Sequence, residues 1–293
     1  MSYLGKFTLA CLVATLGLGM NTASAAITEE GIYITQGTME TPQKVNYLIK
    51  RSKETGINTF VVDYERMSPV YRKDIALVKA SGIQYVARIV VFPNGGAAKE
   101  VHSEDYWNKK YQLMKQAISL GANQIQLDYI RYKPSQPPSP QNVANITRVV
   151  EWYKDRLKPQ GIPLQVDVFG ETSYIPSIHI GQNVKNLAKE IDVLCPMLYP
   201  SHYAPHAYHT QRPYQTVLNS LNSLNKQFDG NPPFKVIPFI EVRNFRNLSS
   251  PRADQVAYLK AQIKAVNDGK AEGWYAWSAG NKYDLLFDTL GSK

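Results

Sequence analysis

Two aspartates lie inside apolar stretches of the sequence. Asp128 sits within Gln-Leu-Asp-Tyr-Ile-Arg-Tyr and Asp167 within Val-Asp-Val-Phe-Gly. Removing a carboxylate from water is costly unless it is paired or has a chemical task. A pair of carboxyls is what glycoside hydrolysis needs, with one as the acid and the other as nucleophile or as base for water. A structural ion pair of Asp128 with Arg88 or Arg131 is the alternative interpretation.

Further polar residues occur where other apolar stretches end. Glu171 and Glu241 are alternative partners for the two aspartates, and Glu171 could equally be a solvated loop residue. The remaining polar candidates for substrate binding are Asp63, Arg88, Arg131, His202 and Asn281. We predict Asp128, Asp167 and Glu241 as the catalytic set and place Glu241 below the two aspartates.

Aromatic residues favour a sugar substrate, because the flat apolar face of a pyranose packs on Trp or Tyr. Tyr199, Tyr203 and Trp277 lie at or near the ends of the sixth and eighth apolar stretches. Alternation within Gly-Trp-Tyr-Ala-Trp-Ser directs some of these rings to the core. Trp277 is the best candidate for a sugar platform.

A histidine cluster raises a second hypothesis. His202 and His206 form an H-x-x-x-H pair, which with an aspartate would suit a metal-dependent polysaccharide deacetylase. Pro205 disfavours a regular helix through the pair. We therefore predict no metal and no organic cofactor. Cys195, between Leu194 and Pro196, is predicted to be an inert core thiol.

The elements that must position these residues alternate between short strand-like runs and helical periodicity, which indicates a parallel sheet with crossover helices. Eight runs are rich in Val, Ile and Tyr: residues 31–37, 59–64, 84–92, 124–132, 164–170, 193–200, 235–241 and 273–279. Helical stretches between them include 42–55, 105–120, 141–158, 213–227 and 252–267. Eight such units predict an α/β fold, a single (β/α)8 TIM barrel. An open doubly wound sheet is disfavoured because no G-x-G-x-x-G follows the first strand.

The N-terminus resembles a secretory signal peptide. Lys6 precedes the apolar run from Phe7 to Met20, and small residues follow up to Ala26. We predict cleavage after Ala25 or Ala26, which divides the chain into a signal peptide, 1–26, and a catalytic domain, 27–293. The product would be exported to the periplasm or secreted, with no membrane insertion after cleavage.

Net charge bears on the kinds of binding partner, and cysteine content bears on disulfide formation. The formal net charge is +9, but no run of like charges or nucleic-acid motif accompanies it, so no nucleic-acid partner is predicted. After cleavage Cys195 would be the one cysteine left, and no internal disulfide could form. We expect a monomer that binds a polysaccharide or oligosaccharide.

Several strings match a known family in order. VARIVVF, QIQLDYIRY, VDVFG, IDVLCPMLYPSHY and GWYAWSAGNKY resemble the glycoside hydrolase family formerly described as domain of unknown function 4015, over roughly residues 31–284. The resemblance implies a TIM-barrel relative of carbohydrate-cleaving enzymes. It places Asp128, Arg131, Asp167, Tyr199, His202 and Trp277 in the site. Relatives tend to have W-L-Q where this chain has Phe239-Ile240-Glu241.

The sequence therefore predicts an exported glycosidase that cleaves O-glycosidic bonds of a cell-wall polysaccharide or exopolysaccharide. Two alternatives remain open. One is a catalytically inactive barrel that binds glycan through its aromatics, and the other is the metal-dependent deacetylase.

Overall fold

A computed structural model describes residues 28–291 of the chain, which form a closed parallel barrel surrounded by helices. The strands are β1 (Glu29–Ile34), β2 (Thr59–Asp63), β3 (Gln84–Val90), β4 (Gln124–Asp128), β5 (Leu164–Phe169), β6 (Val193–Met197), β7 (Lys235–Val236), β8 (Phe239–Glu241) and β9 (Gly273–Trp277). The predicted signal peptide lies outside the described residues.

Hydrogen-bonded neighbours close the barrel. The pairs run β1–β2, β2–β3, β3–β4, β4–β5 and β5–β6, and β9 returns to β1, all in parallel. Between β6 and β9 lie β7 and β8, the two pieces of one predicted strand. Pro238, which has no backbone N–H to donate, lies between the pieces. The predicted (β/α)8 barrel is confirmed.

Helices follow the strands and cover the outside of the barrel. They are α1 (Gln36–Met39), α2 (Pro42–Thr55), α3 (Pro69–Ala80), α4 (Ala98–Val101), α5 (Glu104–Ser119), α6 (Pro140–Leu157), α7 (Val184–Leu187), α8 (His206–Thr210), α9 (Pro213–Lys226), α10 (Arg252–Asp268) and α11 (Asp284–Gly291). Several begin with recognisable signals: Ser68 and Ser103 cap α3 and α5 by accepting hydrogen bonds from Tyr71 N and Tyr106 N. Within residues 28–291, none of these helices is long and apolar enough to cross a bilayer.

Most strands are shorter than the sequence predicts, because the chain turns as soon as it leaves the barrel. At β4 the predicted run extends to Tyr132, but the strand ends at Asp128 and Tyr129 has a left-handed φ of 52°. Pro134, in the proline-rich stretch that follows, lines the cavity at that end of the barrel. The strand end therefore becomes loop just where the polar residues occur, as is typical of this fold.

The barrel interior is polar near its N-terminal end. Glu29 accepts hydrogen bonds from Gln124 Nε2 at 3.1 Å and from the Tyr275 hydroxyl at 2.8 Å. Gln165 Nε2 donates to Gln124 Oε1 at 2.8 Å. Cys195 is fully buried above this layer, and burial raises the pKa of its thiol, as expected of a core thiol. These contacts close the barrel below the candidate site.

We predict that Gly273→Ala destabilises the fold by about 3 kcal/mol. Gly273 has a φ of 155°, and a Cβ there would lie 2.0 Å from the Glu29 carbonyl oxygen, where β9 meets β1. The control is Gly161→Ala, whose φ is 67° but whose Cβ would meet nothing within 4 Å; conformational strain alone costs about 1 kcal/mol. Urea unfolding measures both free energies, and equal losses would contradict the steric explanation.

Candidate active site

A cavity of about 790 Å³ opens at the C-terminal ends of the strands. Nine predicted site residues line it: Arg88, Asp128, Arg131, Asp167, Glu171, Tyr199, His202, Tyr203 and Trp277. Its volume lies in the range of small-molecule and oligosaccharide clefts. The location agrees with the general placement of active sites in this fold.

Arg88, on β3, connects the acids of three other strands. Its Nη1 donates to Asp63 of β2 and its Nη2 to Asp128 of β4, both in close ion pairs. Its Nε lies 3.6 Å from Asp167 Oδ2 on β5. The guanidinium also lies over the Tyr33 ring, 5.1 Å from the centroid. One cation thus brings the carboxyls of three strand ends together.

Asp63 belongs to the support of this cluster. The Tyr33 hydroxyl donates to Asp63 Oδ2 at 2.5 Å, and burial followed by the neighbouring Asp63 raises the pKa of Tyr33. Asp63 is absent from the cavity wall, whereas Tyr33 and Arg88 line it. Its carboxylate therefore contacts Arg88 and Tyr33 and does not line the cavity.

Asp128 is the last residue of β4 and lines the cavity. Its Oδ2 pairs with Arg88, and its Oδ1 accepts a hydrogen bond from Tyr129 N at 2.5 Å. The left-handed Tyr129 turns the chain back so that this N–H reaches the carboxylate. Asp128 is thus a fixed, charge-compensated carboxylate at the cavity floor.

Asp167 has a different environment. Its side chain is 2% exposed, and its Oδ1 has no hydrogen-bond partner among residues 28–291. Burial raises the pKa of Asp167 well above its ordinary value, and the charge of Asp128 adds to this, while Arg88 opposes it. Burial therefore favours the protonated form of Asp167, whereas Asp128 on the adjacent strand is held by an ion pair and a backbone hydrogen bond.

Stacked rings form one side of the cavity. Trp277, at the end of β9, stacks on Tyr199 with 5.1 Å between centroids and 21° between planes. His202 packs edge-on against both rings, and Phe245 lies tilted against Trp277 with 5.1 Å between centroids. Trp277 is half-buried and lines the cavity, so this cluster presents a supported aromatic surface.

Glu241 lies away from the cavity wall. Fully buried at the end of β8, it accepts hydrogen bonds from Ser201 N at 2.7 Å, Ser201 Oγ at 2.6 Å and the Tyr258 hydroxyl at 2.6 Å. Burial raises the pKa of Glu241 to about 7, even though these hydrogen bonds oppose the shift. Its contacts hold the turn Pro200–His202, which carries a cavity residue, and the structure does not bring it to the aspartates.

Three other predicted residues have local partners. Tyr203 lines the cavity, and its hydroxyl lies 3.1 Å from Ser220 Oγ. Glu171, also on the wall, accepts from Ser177 Oγ at 3.0 Å. Asn281 accepts from Thr35 N at 2.9 Å and donates to the Tyr33 carbonyl at 3.1 Å. Asn281 therefore fixes the end of β1 and does not line the cavity.

Both ring nitrogens of His206 are engaged with the protein itself. His206 Nδ1 lies 3.0 Å from the Tyr203 carbonyl and its Nε2 lies 3.0 Å from Arg246 Nη2. A guanidinium is a donor only, so Nε2 accepts and is occupied. Within residues 28–291, no group of three or more His, Cys, Asp or Glu side chains is arranged to hold a metal ion.

Residues 94–283 match the sequence profile of a family described as "Putative glycosyl hydrolase domain", the domain of unknown function 4015. The chain belongs to this family. The resemblance found in its strings is confirmed, and by family the chain is a glycosidase. No curated protein matches it in sequence.

Solved structures share the barrel of this glycosyl hydrolase domain. A spore cortex-lytic enzyme from Bacillus megaterium QM B1551 superposes with a TM-score of 0.65 at 13% identity, over 90% of this chain and 73% of its own. For a chitinase from Chromobacterium violaceum ATCC 12472 the TM-score is 0.62 at 15% identity, over 90% and 98%. For an endo-β-1,4-mannanase from Thermotoga petrophila it is 0.61 at 12% identity, over 87% and 68%. At these identities the likeness establishes the fold.

Sequence reasoning missed some cavity residues of the glycosyl hydrolase domain. Tyr33, Tyr129, Phe169, His179 and Gln182 also line the cavity. Tyr33 lies in the first strand-like run, and Tyr129 and Phe169 stand beside residues that were selected. Selecting aromatic as well as polar residues near the ends of the strand-like runs would have found these three. No comparable signal marks His179 or Gln182, which follow β5 at a distance.

We predict that Glu241 makes the stability of the domain pH-dependent. A raised folded-state pKa means that the folded state binds the proton more tightly, so this stabilisation is complete below about pH 4.5 and is lost as pH rises towards 7. Between pH 5 and 7.5 the loss should be about 2 kcal/mol.

Urea unfolding at both pH values tests this in wild type, Glu241→Gln and Glu151→Gln, the last an exposed control on α6. The Glu241 variant should lack that portion of the pH dependence, and the control should keep it. A Glu241→Gln variant with the wild-type slope would show that Glu241 does not titrate in this range.

Proposed function

We propose that this chain is an exported glycoside hydrolase that cleaves O-glycosidic bonds of a cell-wall polysaccharide or exopolysaccharide through Asp128 and Asp167. The observation that carries the proposal is the unlike environment of these two carboxyls on adjacent strands at the cavity floor. Asp128 is ion-paired with Arg88, and Asp167 is buried with an unpartnered oxygen. A buried carboxyl that holds its proton suits the general acid, and an ion-paired carboxylate suits the nucleophile or base.

Asp167 is the general acid. Its raised pKa keeps the proton on the carboxyl, and its Oδ1 has no acceptor or donor among the described residues. As the bond between the anomeric carbon and the glycosidic oxygen breaks, the proton moves from Asp167 to the leaving oxygen. The resulting carboxylate then faces Arg88 Nε, 3.6 Å away in the resting structure, which stabilises the new negative charge.

Asp128 is the nucleophile or the base. As a nucleophile its carboxylate oxygen would attack the anomeric carbon, and water would later release the sugar; as a base it would take a proton from the attacking water. Its hydrogen bond from Tyr129 N and its ion pair with Arg88 fix its orientation in either role. Neither role requires a metal or an organic cofactor.

The aromatic cluster supports a polymeric sugar as substrate. Trp277 offers a half-buried ring backed by Tyr199, and its stacking on a pyranose would hold one unit beside the aspartates. The structural neighbours include enzymes named for chitin, mannan and spore cortex. The N-terminal sequence supports export, which would bring the enzyme to polymers outside the cytoplasm.

A glycan-binding barrel without activity is the second candidate. It is favoured by the contact of Arg88 with all three aspartates, since a structural ion cluster would have the same contacts. Binding of a glycan by wild type that survives removal of both carboxylates, with no product formed, would favour this candidate.

We predict that Asp128→Asn and Asp167→Asn each lower kcat/KM about 10³-fold, because each removes one proton-transfer or nucleophilic group. The measurement is reducing-sugar release from a panel of bacterial wall polymers and exopolysaccharides. In wild type, activity should fall on the alkaline side as Asp167 loses its proton. The residual activity of Asp167→Asn should not show this fall at alkaline pH.

Asp155→Asn, an exposed aspartate on α6, is the matched control and should keep wild-type rates. Circular dichroism and thermal melting establish that each variant is folded. A folded Asp128→Asn or Asp167→Asn protein with more than a tenth of wild-type activity would refute the assigned roles.

We predict that Trp277→Ala raises KM about tenfold with a smaller change in kcat, because the ring contributes binding of the sugar and no proton transfer. Trp277→Phe retains an aromatic face and should recover most of the loss. Initial rates over a range of substrate concentration separate the two parameters. An Ala variant with unchanged KM would exclude the ring as a binding surface.

A further inference from the structure

Arg131 is a buried cation in the cavity wall that lacks a matching anion. It is 9% exposed and lines the cavity. Among residues 28–291 it forms no salt bridge, whereas Arg88, the other arginine of the wall, contacts three aspartates. Buried arginines are generally paired, so Arg131 has unused binding capacity at the site.

Aromatic rings hold the Arg131 guanidinium in place. Its central carbon lies 5.2 Å from the centroid of the Tyr129 ring and 5.4 Å from that of Phe169. Its Nη1 donates to the Tyr132 carbonyl at 3.0 Å. The other guanidinium donors have no partner in the described part of the chain. A planar fork restrained in this way loses little entropy when it binds an anion.

The surroundings disfavour an unpaired charge. Burial lowers the pKa of Arg131 below its ordinary value, although Tyr129 and Asp128 partly offset the effect. Glu171 lines the same cavity, but no ion pair joins it to Arg131, and its carboxylate accepts from Ser177. An anion on the ligand would supply the missing charge and satisfy the open donors.

We infer that Arg131 forms a subsite for a carboxylate carried by a sugar ring, so that the preferred substrate is an acidic polysaccharide. The inference rests on the proposed function, because it assigns a substrate class to the same cavity. Planar carboxylates match the guanidinium fork in a bidentate pair. The formal charge of +9, or +8 once Lys6 leaves with the predicted signal peptide, favours encounter with a polyanion.

Two sources offer the same group: the carboxyl of a uronic acid and the lactyl ether carboxyl of muramic acid. The probes are polygalacturonate, hyaluronate and alginate for the first. For the second they are glycan strands of peptidoglycan from which the stem peptides have been removed, since the peptide otherwise occupies the lactyl carboxyl as an amide. Each is compared with the same polymer after chemical reduction of its carboxyls to alcohols. The polymer that the protein binds more tightly than its reduced form identifies the source of the carboxylate.

Affinity electrophoresis measures binding without requiring hydrolysis. The proteins are wild type, Arg131→Gln, Arg131→Lys and Arg148→Gln. Arg148 is an exposed arginine over the Trp107 ring outside the cavity, with a guanidinium-to-centroid distance of 5.2 Å. Its replacement controls for the loss of one positive charge and one cation–π contact.

Wild type should bind at least one acidic polymer at least tenfold more tightly than the reduced form of that polymer. The Arg131→Gln variant should lose this preference and still bind the reduced form. The Arg131→Lys variant should lose most of the preference, because an ammonium cannot form the bidentate pair. The Arg148→Gln variant should keep the wild-type preference. The inference is overturned if wild type binds no acidic polymer more tightly than its reduced form, or if folded Arg131→Gln retains the preference.

Failure of the proposed function is distinguishable from failure of this inference. A preference for acidic polymer that depends on Arg131, without release of reducing sugar from that polymer, would support the subsite and count against the hydrolase. Hydrolysis of native and carboxyl-reduced polymer at equal kcat/KM would support the hydrolase and overturn the subsite.

Discussion

The guanidinium of Arg88 lies among the carboxyl groups of Asp63, Asp128 and Asp167, and the arrangement of the site depends on it. Carboxylates at the mouth of an apolar barrel repel one another and are poorly solvated, so without a central cation they could not be kept close together. The planar fork has donors along its edges, and these allow one residue on β3 to contact acids from β2, β4 and β5. This contact converts three strand ends into one charge cluster.

The same cluster makes the two cavity acids unequal. Three acids surround one cation, and Asp167 is the most buried of the three carboxyls. Burial therefore favours a proton on Asp167, while Asp128 keeps the direct ion pair and the Tyr129 N–H. Tyr33 contributes by donating to Asp63 Oδ2, while Asp63 Oδ1 accepts from Arg88. The asymmetry arises from position around the barrel and not from residue type.

The cavity wall is built by supporting contacts outside the cluster. Glu241 accepts two hydrogen bonds from Ser201 and one from Tyr258, and this holds the turn that carries His202 next to the stacked Tyr199 and Trp277 rings. Asn281 ties the end of β1 to the loop after β9 through Thr35 and Tyr33. On the opposite wall, Tyr129 and Phe169 restrain Arg131. Some of these supporting residues, Glu241, Tyr258 and Asn281, lie outside the cavity wall and act through the residues that they hold.

The sequence by itself determined the eight-unit barrel, the strand ends as the place of the site, and the aspartates embedded in apolar strands, because hydrophobic periodicity and the cost of burying a carboxylate are local properties. Tertiary structure alone decided which polar residues meet. Glu241 and Asp128 both end strands, yet the first is enclosed by Ser201 and Tyr258 while the second faces the cavity. The ion pairs of Arg88 and the Phe169 ring beside Arg131 also depend on contacts between residues far apart in the chain. Hydrogen-bond partners and burial are set by the closure of the barrel, which no stretch of sequence specifies on its own.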